Sequence, residues 1–446
     1  MNHSLFKNLQ FQHAFLIVIL FLRAIAFAQD YSPTELKTIT LTEAIQLGNL
    51  NNRQLKIANV DIAIADQNVS QSKIAKIPRL SLSGGYTYIG DPKLYEGFYE
   101  SNIKVDYYNH RSFANIVSTM PIYSGGIINS KIEQQKLITK MQQSVARMTK
   151  AEVKSLITEY FFTLEKLYRQ IDVTKQNIVN TGIRINQLKS RVENGQNLKS
   201  DLLRSELQQS NFEVSVFRNT NDIELVSNYL NILIGLPTNT ILKPQVSENT
   251  IVLEEVELQK SLAVAYLNRE EIKRAQIGIE LSKSSLDITK SGFRPTLNAN
   301  LILNTEYPAQ WPNYVNIINY WATGLSLNWD VSSFYNIKHR VKVDKLQIEK
   351  SNIALDAAKD QINKEVKTAY VKFVESKRNI ATYKKDVELS LSNYKIVKSR
   401  YDNDFALISD MVDAELQLNN SKISLVNANL DLIIQYYSLQ FAMGIL

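Results

Sequence analysis

From Val153 to Val192 the apolar positions recur at alternating spacings of four and three: Val153, Ile157, Tyr160, Leu164, Leu167, Ile171, Thr174, Ile178, Thr181, Ile185, Leu188 and Val192. Only the two threonines interrupt the series. Such a heptad seam predicts a helix packed lengthwise on a partner helix. The helix starts after Gly126 and ends near Glu193, a rise of ~100 Å at about 1.5 Å per residue. A second seam runs along Val412, Leu416, Asn419, Ile423, Val426, Leu430, Ile433 and Tyr437. Its counterpart earlier in the chain has Asn221, Glu224 and Asn228 in seam positions, so that stretch is expected to face solvent or a partner.

Elsewhere the period is two. Leu80, Leu82, Gly84, Tyr86 and Tyr88 alternate with Ser81, Ser83, Gly85 and Thr87. Leu297, Ala299, Leu301 and Leu303 alternate with Asn298, Asn300, Ile302 and Asn304, and Thr323, Leu325, Leu327 and Trp329 with Gly324, Ser326 and Asn328. A strand over 113–123 is less regular. Alternation over ~10 residues suits a transmembrane barrel strand, and equally a half-buried sheet. Aromatic residues flank both strand pairs: Tyr95, Phe98, Tyr99, Tyr107 and Tyr108 at one, Tyr307, Trp311, Tyr314, Tyr320 and Trp321 at the other. Such rings suit a membrane–water interface.

The chain is two copies of one unit. Residues 41–80 align without a gap on 258–297, with Leu41, Asn51, Lys56, Ala58, Pro78 and Leu80 matched by identical residues. Residues 190–211 align on 399–420 with ten identities in 22 positions, and Gly235 meets Gly444. The offset changes from 217 to 209 between these blocks, which puts eight extra residues, expected to be loop, between about 80 and 120 of the first copy. The predicted organisation is a signal peptide at 1–28, an N-terminal segment at 29–40, repeat one at 41–235, a linker at 236–257 and repeat two at 258–446. Each repeat reads helix, hairpin (about 79–123 and 295–331), long helix, helix. The fold class is mainly α with a small β part.

Residues 1–28 carry Lys7, the apolar run Ala14–Leu22, and Ala26-Phe27-Ala28 before Gln29. This is the pattern of a cleaved export signal, and the run is too short for a stable membrane anchor. No later segment is long and apolar enough to span a bilayer as a helix, so a membrane-inserted part would have to be made of strands. Four strands cannot close a barrel, and an open edge cannot sit in lipid. Three copies would supply twelve strands.

The chain has 446 residues, a formal charge of +7, 14 glycines, 9 prolines and no cysteine. The low Gly and Pro counts favour long helices over many tight turns. The absence of cysteine excludes disulfides and thiolate metal sites. Lys and Arg alternate with Asp and Glu along the helical segments, as in Lys384–Ser390, so nucleic acid is not an expected partner. Beyond the signal only His110 and His339 remain, and no phosphate-binding, zinc-protease or serine-hydrolase motif appears, so neither an enzyme nor a cofactor is expected.

An exported, cysteine-free, two-copy chain of this design resembles the TolC family of outer-membrane efflux proteins. The likeness runs from about 38 to 446. Its most specific part follows each long helix: Arg191, Gly195, Ser200, Asp201, Leu202, Leu203 and Glu206 in copy one, and Arg400, Asp404, Ser409, Asp410, Met411, Val412, Ala414, Glu415 and Leu418 in copy two. Asp404 stands where copy one has the family's Gly. A second feature is the strand-to-helix turn Pro121–Gly126, which copy two replaces with Asp330–Tyr335, without Gly.

The resemblance implies a homotrimer in the outer membrane of a Gram-negative bacterium, a shared twelve-strand barrel, and a helical tunnel across the periplasm. It implies a periplasmic adaptor (membrane fusion) protein, an inner-membrane pump of RND, ABC or MFS type, and outer-membrane lipid as partners. The turns at 194–199 and 403–408 would form the periplasmic tip. Asp410 and Asp413, three residues apart on one helix face, would ring the constriction and select cations. Copy one has Asp201 and Arg204 there, whose charges cancel. Read without the resemblance, the pair is a helix N-terminal charge pair with Ser409 as cap. Tyr401 and Asp201 match family positions whose hydrogen bond latches the tip, while the assisting family Arg is Ala406 here. The competing reading is an exported periplasmic coiled-coil scaffold or adaptor without a barrel.

Overall fold

The computed structural model describes residues 36–90, 93–95, 102–104, 109–246, 256–308 and 316–446. The export signal lies outside them, as do Phe98, Tyr99, Tyr107, Tyr108, Trp311, Tyr314 and the side chain of Tyr95. The elements are β1 Leu36–Ile39, α1 Leu41–Asn51, α2 Arg53–Ile74, β2 Arg79–Tyr88, β3 Lys93–Tyr95, β4 Asn102–Lys104, β5 His110–Tyr123, α3 Ile127–Glu193, α4 Lys199–Ile234, β6 Ile241–Pro244, α5 Leu258–Asn268, α6 Glu270–Ser291, β7 Thr296–Tyr307, β8 Ile318–Asn328, α7 Ser333–Asp402 and α8 Ile408–Ala442. They form two compact units. One holds the chain up to Lys56, Met148–Arg269 and Ile362–Leu446; the other holds Ile57–Arg147 and Glu270–Gln361.

In the first unit the heptad seam is the core. Val153, Ile157, Leu164, Ile171 and Leu188 are buried, and the two seam threonines are buried with them. Ile223, Leu230, Ile234 and Leu430 pack with the Val153–Ile171 part of the seam. Asn221 and Glu224 are exposed, as their polarity in seam positions suggests.

Two features are absent from the periodicity. β1 and β6 pair in parallel, Leu36 with Ile241 through Ile39 with Pro244. Leu242 is fully buried there, and its N–H donates to Ser227 Oγ at 3.2 Å. The first helix of each copy is also broken, at Asn52 and at Arg269, which are equivalent positions. Asn52 Oδ1 accepts the N–H of Gln54 at 2.9 Å, which caps α2, and its Nδ2 donates to Leu233 O at 3.0 Å. Arg269 donates to Ala442 O at 3.2 Å and pairs with Glu365 at 2.7 Å.

Each break is met by the glycine that ends the last helix of its copy. Gly235 has φ +75°, and a Cβ on it would stand 2.4 Å from Cβ of Asn51. Gly444 has φ +72°, and a Cβ on it would stand 3.2 Å from N of Arg269. A left-handed helix end favours glycine, and here the close approach requires it as well.

In the second unit four antiparallel strands form one sheet in the order β2-β5-β7-β8. The two hairpins therefore join through β5 and β7, in register from Ser112 with Tyr307 to Met120 with Ala299. The pairing sorts the faces. Leu82, Ile116, Leu303 and Trp321 fall in one row across the sheet, and Ser83, Asn115, Asn304 and Tyr320 form the row on the opposite face. That polar face also holds an Arg111–Glu306 ion pair at 3.2 Å. The outer strand β8 is exposed throughout. The extra residues of copy one include a short hairpin, β3 with β4, rather than loop alone.

The two strand-to-helix turns use different chemistry. Gly125 and Gly126 have φ +65° and +94°, and Arg294 donates to Gly125 O at 3.1 Å. In copy two Asp330 Oδ1 accepts the N–H of Ser332 at 3.0 Å, without any positive φ. At the start of α6, burial pushes the Glu270 carboxyl up, but hydrogen bonds from Arg147, Ser144 and Lys273 outweigh it and hold it at about 2.

Gly235→Ala should therefore destabilise the protein by ~2 kcal/mol or more. Gly182→Ala, in the interior of α3 with open space around it, should be neutral or stabilise by up to ~1 kcal/mol. Thermal unfolding followed by far-ultraviolet circular dichroism measures both, and an unchanged midpoint for Gly235→Ala would contradict the close packing of helix end on helix break.

Candidate functional site

Two equivalent turns lie in the first unit. At 194–198 the N–H of Gly195 donates to Val192 O at 3.0 Å and that of Gln196 to Arg191 O at 2.8 Å. At 403–407 the N–H of Asp404 donates to Tyr401 O at 3.0 Å and that of Phe405 to Arg400 O at 2.8 Å. This doubled hydrogen bond needs a left-handed residue past the helix end. Copy one supplies Gly195 (φ +71°); copy two supplies Asp404 (φ +65°), the single non-glycine with positive φ among the described residues. Arg400 also donates to Phe405 O at 3.4 Å.

Beneath the turns Leu188, Ile408, Met411 and Val412 form a small core, flanked by Leu202, Tyr394, Val397, Tyr401 and Leu416. All four helix ends contribute, so the two turns are held side by side. Between them runs a cleft of about 700 Å³ whose walls carry Arg191, Ser200, Asp201, Arg204, Tyr401, Asp404, Ala406 and Ser409. Burial raises the Tyr401 hydroxyl pKa above its ordinary value, while Arg191 and Arg184 pull it down.

Asp410 and Asp413 stand on the exposed side of α8, away from this core. Asp410 Oδ2 accepts the N–H of Leu407 at 3.2 Å. Because α8 begins at Ile408 and its cap is Leu407, Ser409 lies inside the first turn and is not the cap residue. Tyr401 and Asp201 share the cleft, but no hydrogen bond joins them among those the structure describes. Asp201 Oδ2 instead accepts from Asn197 at 3.5 Å.

The direct link between the turns is one that sequence reasoning did not single out. Arg191 Nη1 pairs with Asp404 Oδ1 at 2.9 Å, with side chains 35% and 80% exposed. It stands beyond a series of polar contacts between α3 and α8: Lys166 with Asp431 at 2.9 Å, Gln170 with Asn427 at 2.6 Å, Asn177 with Asn419, and Thr181 and Arg184 with Glu415. The Arg184–Glu415 pair is buried on both sides. Gln170, Asn177, Arg184 and Arg191 recur every seven residues, each one position before a seam residue. That spacing was a readable signal of a second, polar seam. Among the described residues no group of three or more His, Asp or Glu is placed to hold a metal ion, and no helix is long and apolar enough to cross a membrane.

Residues 262–445 match the outer membrane efflux protein family. No curated protein matches the sequence. Solved structures share the fold at low identity. The outer membrane protein VceC of Vibrio cholerae is 15% identical over 91% of this chain and 96% of its own, with a TM-score of 0.74. The Campylobacter jejuni CmeC outer membrane channel is 15% identical over 91% and 85%, with a TM-score of 0.76. The open state of the Neisseria gonorrhoeae MtrE outer membrane channel is 14% identical over 91% and 88%, with a TM-score of 0.72.

The polar seam yields a stability prediction. Arg184→Met leaves Glu415 buried and unpaired, and should cost ~3–5 kcal/mol. Arg184→Met with Glu415→Leu removes both charges and should recover most of that loss. Denaturant unfolding of the single and double variants is the check. A single variant as stable as wild type would mean that water reaches the pair.

Proposed function

We propose that this chain, whose second copy matches the outer membrane efflux proteins and whose fold is that of outer-membrane channels, forms the exit duct of an efflux or secretion system. Three copies join their sheets into a twelve-strand barrel in the outer membrane, and their helices line a tunnel through the periplasm. The observation that carries this reading is the sheet: one apolar face, one polar face, and unpaired outer edges at β2 and β8. A periplasmic scaffold without a barrel would leave Leu80, Leu82, Trp321, Leu325 and Leu327 in water, each 69% exposed or more in the single chain. Clustered apolar exposure of this kind marks an interface with lipid or protein.

On this reading the paired turns form the periplasmic end of the tunnel. An adaptor engages them, and an inner-membrane pump supplies the cargo. Asp410 and Asp413 are exposed on one side of α8; with that side turned to the axis, threefold symmetry would bring six carboxylates together. Rings of carboxylate set cation selectivity in pores. Tyr401 and Asp201, in the cleft between the turns, bias the closed packing of the tip. A direct bond between them belongs to a tighter packing than the one described.

The ring is tested with Asp410→Asn combined with Asp413→Asn. In planar bilayers under a salt gradient the reversal potential should move towards zero, and block by multivalent cations should weaken. An unchanged reversal potential would put the selective ring elsewhere.

A further inference from the structure

The apolar face of the sheet is interrupted near one end. The row of Leu82, Ile116, Leu303 and Trp321 is followed, further from the helices, by a row of Gly84, Ala114, Thr305 and Asn319. The next row out holds Tyr86, Ser112 and Tyr307. A glycine and an alanine thus stand between rows of large side chains. A hollow of about 370 Å³ opens there, and its walls include Leu82, Ile116, Leu303, Trp321, Thr305 and Asn319. That volume falls within the ~300–1,000 Å³ of small-ligand sites. Among the described residues the walls carry no charged side chain; Arg111 and Glu306 pair on the opposite face. Thr305 and Asn319 are exposed, and neither side chain makes a hydrogen bond among those the structure describes. The outer rim is fixed, because the Tyr86 hydroxyl is hydrogen-bonded to His110 Nδ1 and the His110 ring centre lies 5.2 Å from that of Tyr88.

We infer that this hollow seats one outer-leaflet lipid whose acyl chain is joined to an amino sugar through an amide. The chain lies along Leu82, Ile116, Leu303 and Trp321, the amide meets Thr305 and Asn319, and the sugar rests against Tyr86 and Tyr307. This rests on the channel reading above, which puts the apolar face in lipid, and it names a ligand for that face. The strands meet their helices at Arg79, Tyr123, Thr296 and Asn328. The hollow lies towards the opposite end, which in an outer-membrane channel with periplasmic helices is the outer leaflet. An unfilled hollow forfeits dispersion contacts along its whole lining. An Asn carboxamide turned to hydrocarbon without a partner is costly, and plain acyl chains offer it none. A carboxamide carries both donors and an acceptor, so its best complement is a second amide, which answers with both. The ester of a glycerophospholipid has acceptors only. A phosphate would find no cation in these walls, whereas a neutral amide junction needs none. The tyrosine row stands two residues further along the strands, about 7 Å, which a sugar ring with its substituents spans. Amphipathic rings also suit the membrane–water interface at that depth.

The test is native mass spectrometry of the full-length protein in detergent. It is titrated separately with lipid A, whose glucosamines carry amide-linked chains, and with phosphatidylethanolamine. Wild type should hold one lipid A per chain, with an affinity about tenfold above that for phosphatidylethanolamine, the equivalent of one hydrogen bond. Ala114→Phe fills the hollow. Asn319→Leu removes the carboxamide while making the face more apolar. Each should weaken lipid A binding about tenfold and leave phosphatidylethanolamine binding unchanged. Thr323→Val, on the same face two rows nearer the helices, should change neither. Far-ultraviolet circular dichroism checks that each variant keeps its fold; if Ala114→Phe does not, Asn319→Leu decides alone. Asn319→Leu binding lipid A as well as wild type, or better, would overturn the site, since plain apolar adhesion gains from that change. Equal binding of the two lipids, or a preference for phosphatidylethanolamine, would overturn the amide as the recognised group. Conductance in planar bilayers of phosphatidylethanolamine alone tests the channel separately. Conductance without lipid A selectivity would keep the channel and overturn the site. Selective lipid A binding without conductance would uphold the site and contradict the channel.

Discussion

β2 and β8 end the four-stranded sheet with one unpaired edge each. Their outward N–H and C=O groups have no strand beside them among the described residues. In water these groups would be solvated. In hydrocarbon each unmatched one costs several kcal/mol, and an open sheet cannot remain there. The row of Leu82, Ile116, Leu303 and Trp321 makes the opposite demand, since it belongs out of water. Closure through further copies, as proposed, would satisfy both, with β8 of one copy against β2 of the next. The proposed tunnel and carboxylate ring have meaning only in such a closed assembly.

The internal repeat supplies pairs of similar parts, and the function proposed here lies where the pairs differ. Gly235 and Gly444 close on equivalent helix breaks, a packing solution used twice. The turns at Gly195 and Asp404 share one backbone pattern but not one side chain. The position of Arg204 in copy one is that of Asp413 in copy two, so only one copy presents a net acidic face. The apolar seam of α3 packs into one cluster from Val153 to Ile171 and another at Leu188, while its polar flank meets α8 through hydrogen bonds and ion pairs. Apolar contact is non-directional, whereas each polar rung is specific in register. A polar interface can break and re-form rung by rung.

Long-period features were legible in the sequence because burial enforces them. The seam Val153–Val192 marked α3, and strict alternation marked β2, β7 and β8. The repeat showed that every element would come twice. The joining of β5 to β7 was not legible, since alternation says which face a residue takes and not which strand lies beside it. The breaks at Asn52 and Arg269 escaped because neither residue is a helix breaker; the side chains take up contacts on another helix instead. β1 and β6 are four residues each, too short to carry a period. Arg191 and Asp404 were both noticed as turn residues, but their pairing depends on how two hairpins lie together.

The central claim is that the sheet closes by association of identical chains. The most direct measurement is the mass of the full-length protein in detergent, by light scattering that separates the protein's contribution from the micelle's. The account predicts three chains per particle, stable to dilution. A particle of one chain that keeps its β-structure in detergent would contradict it, because the edges of β2 and β8 would then be satisfied without a partner.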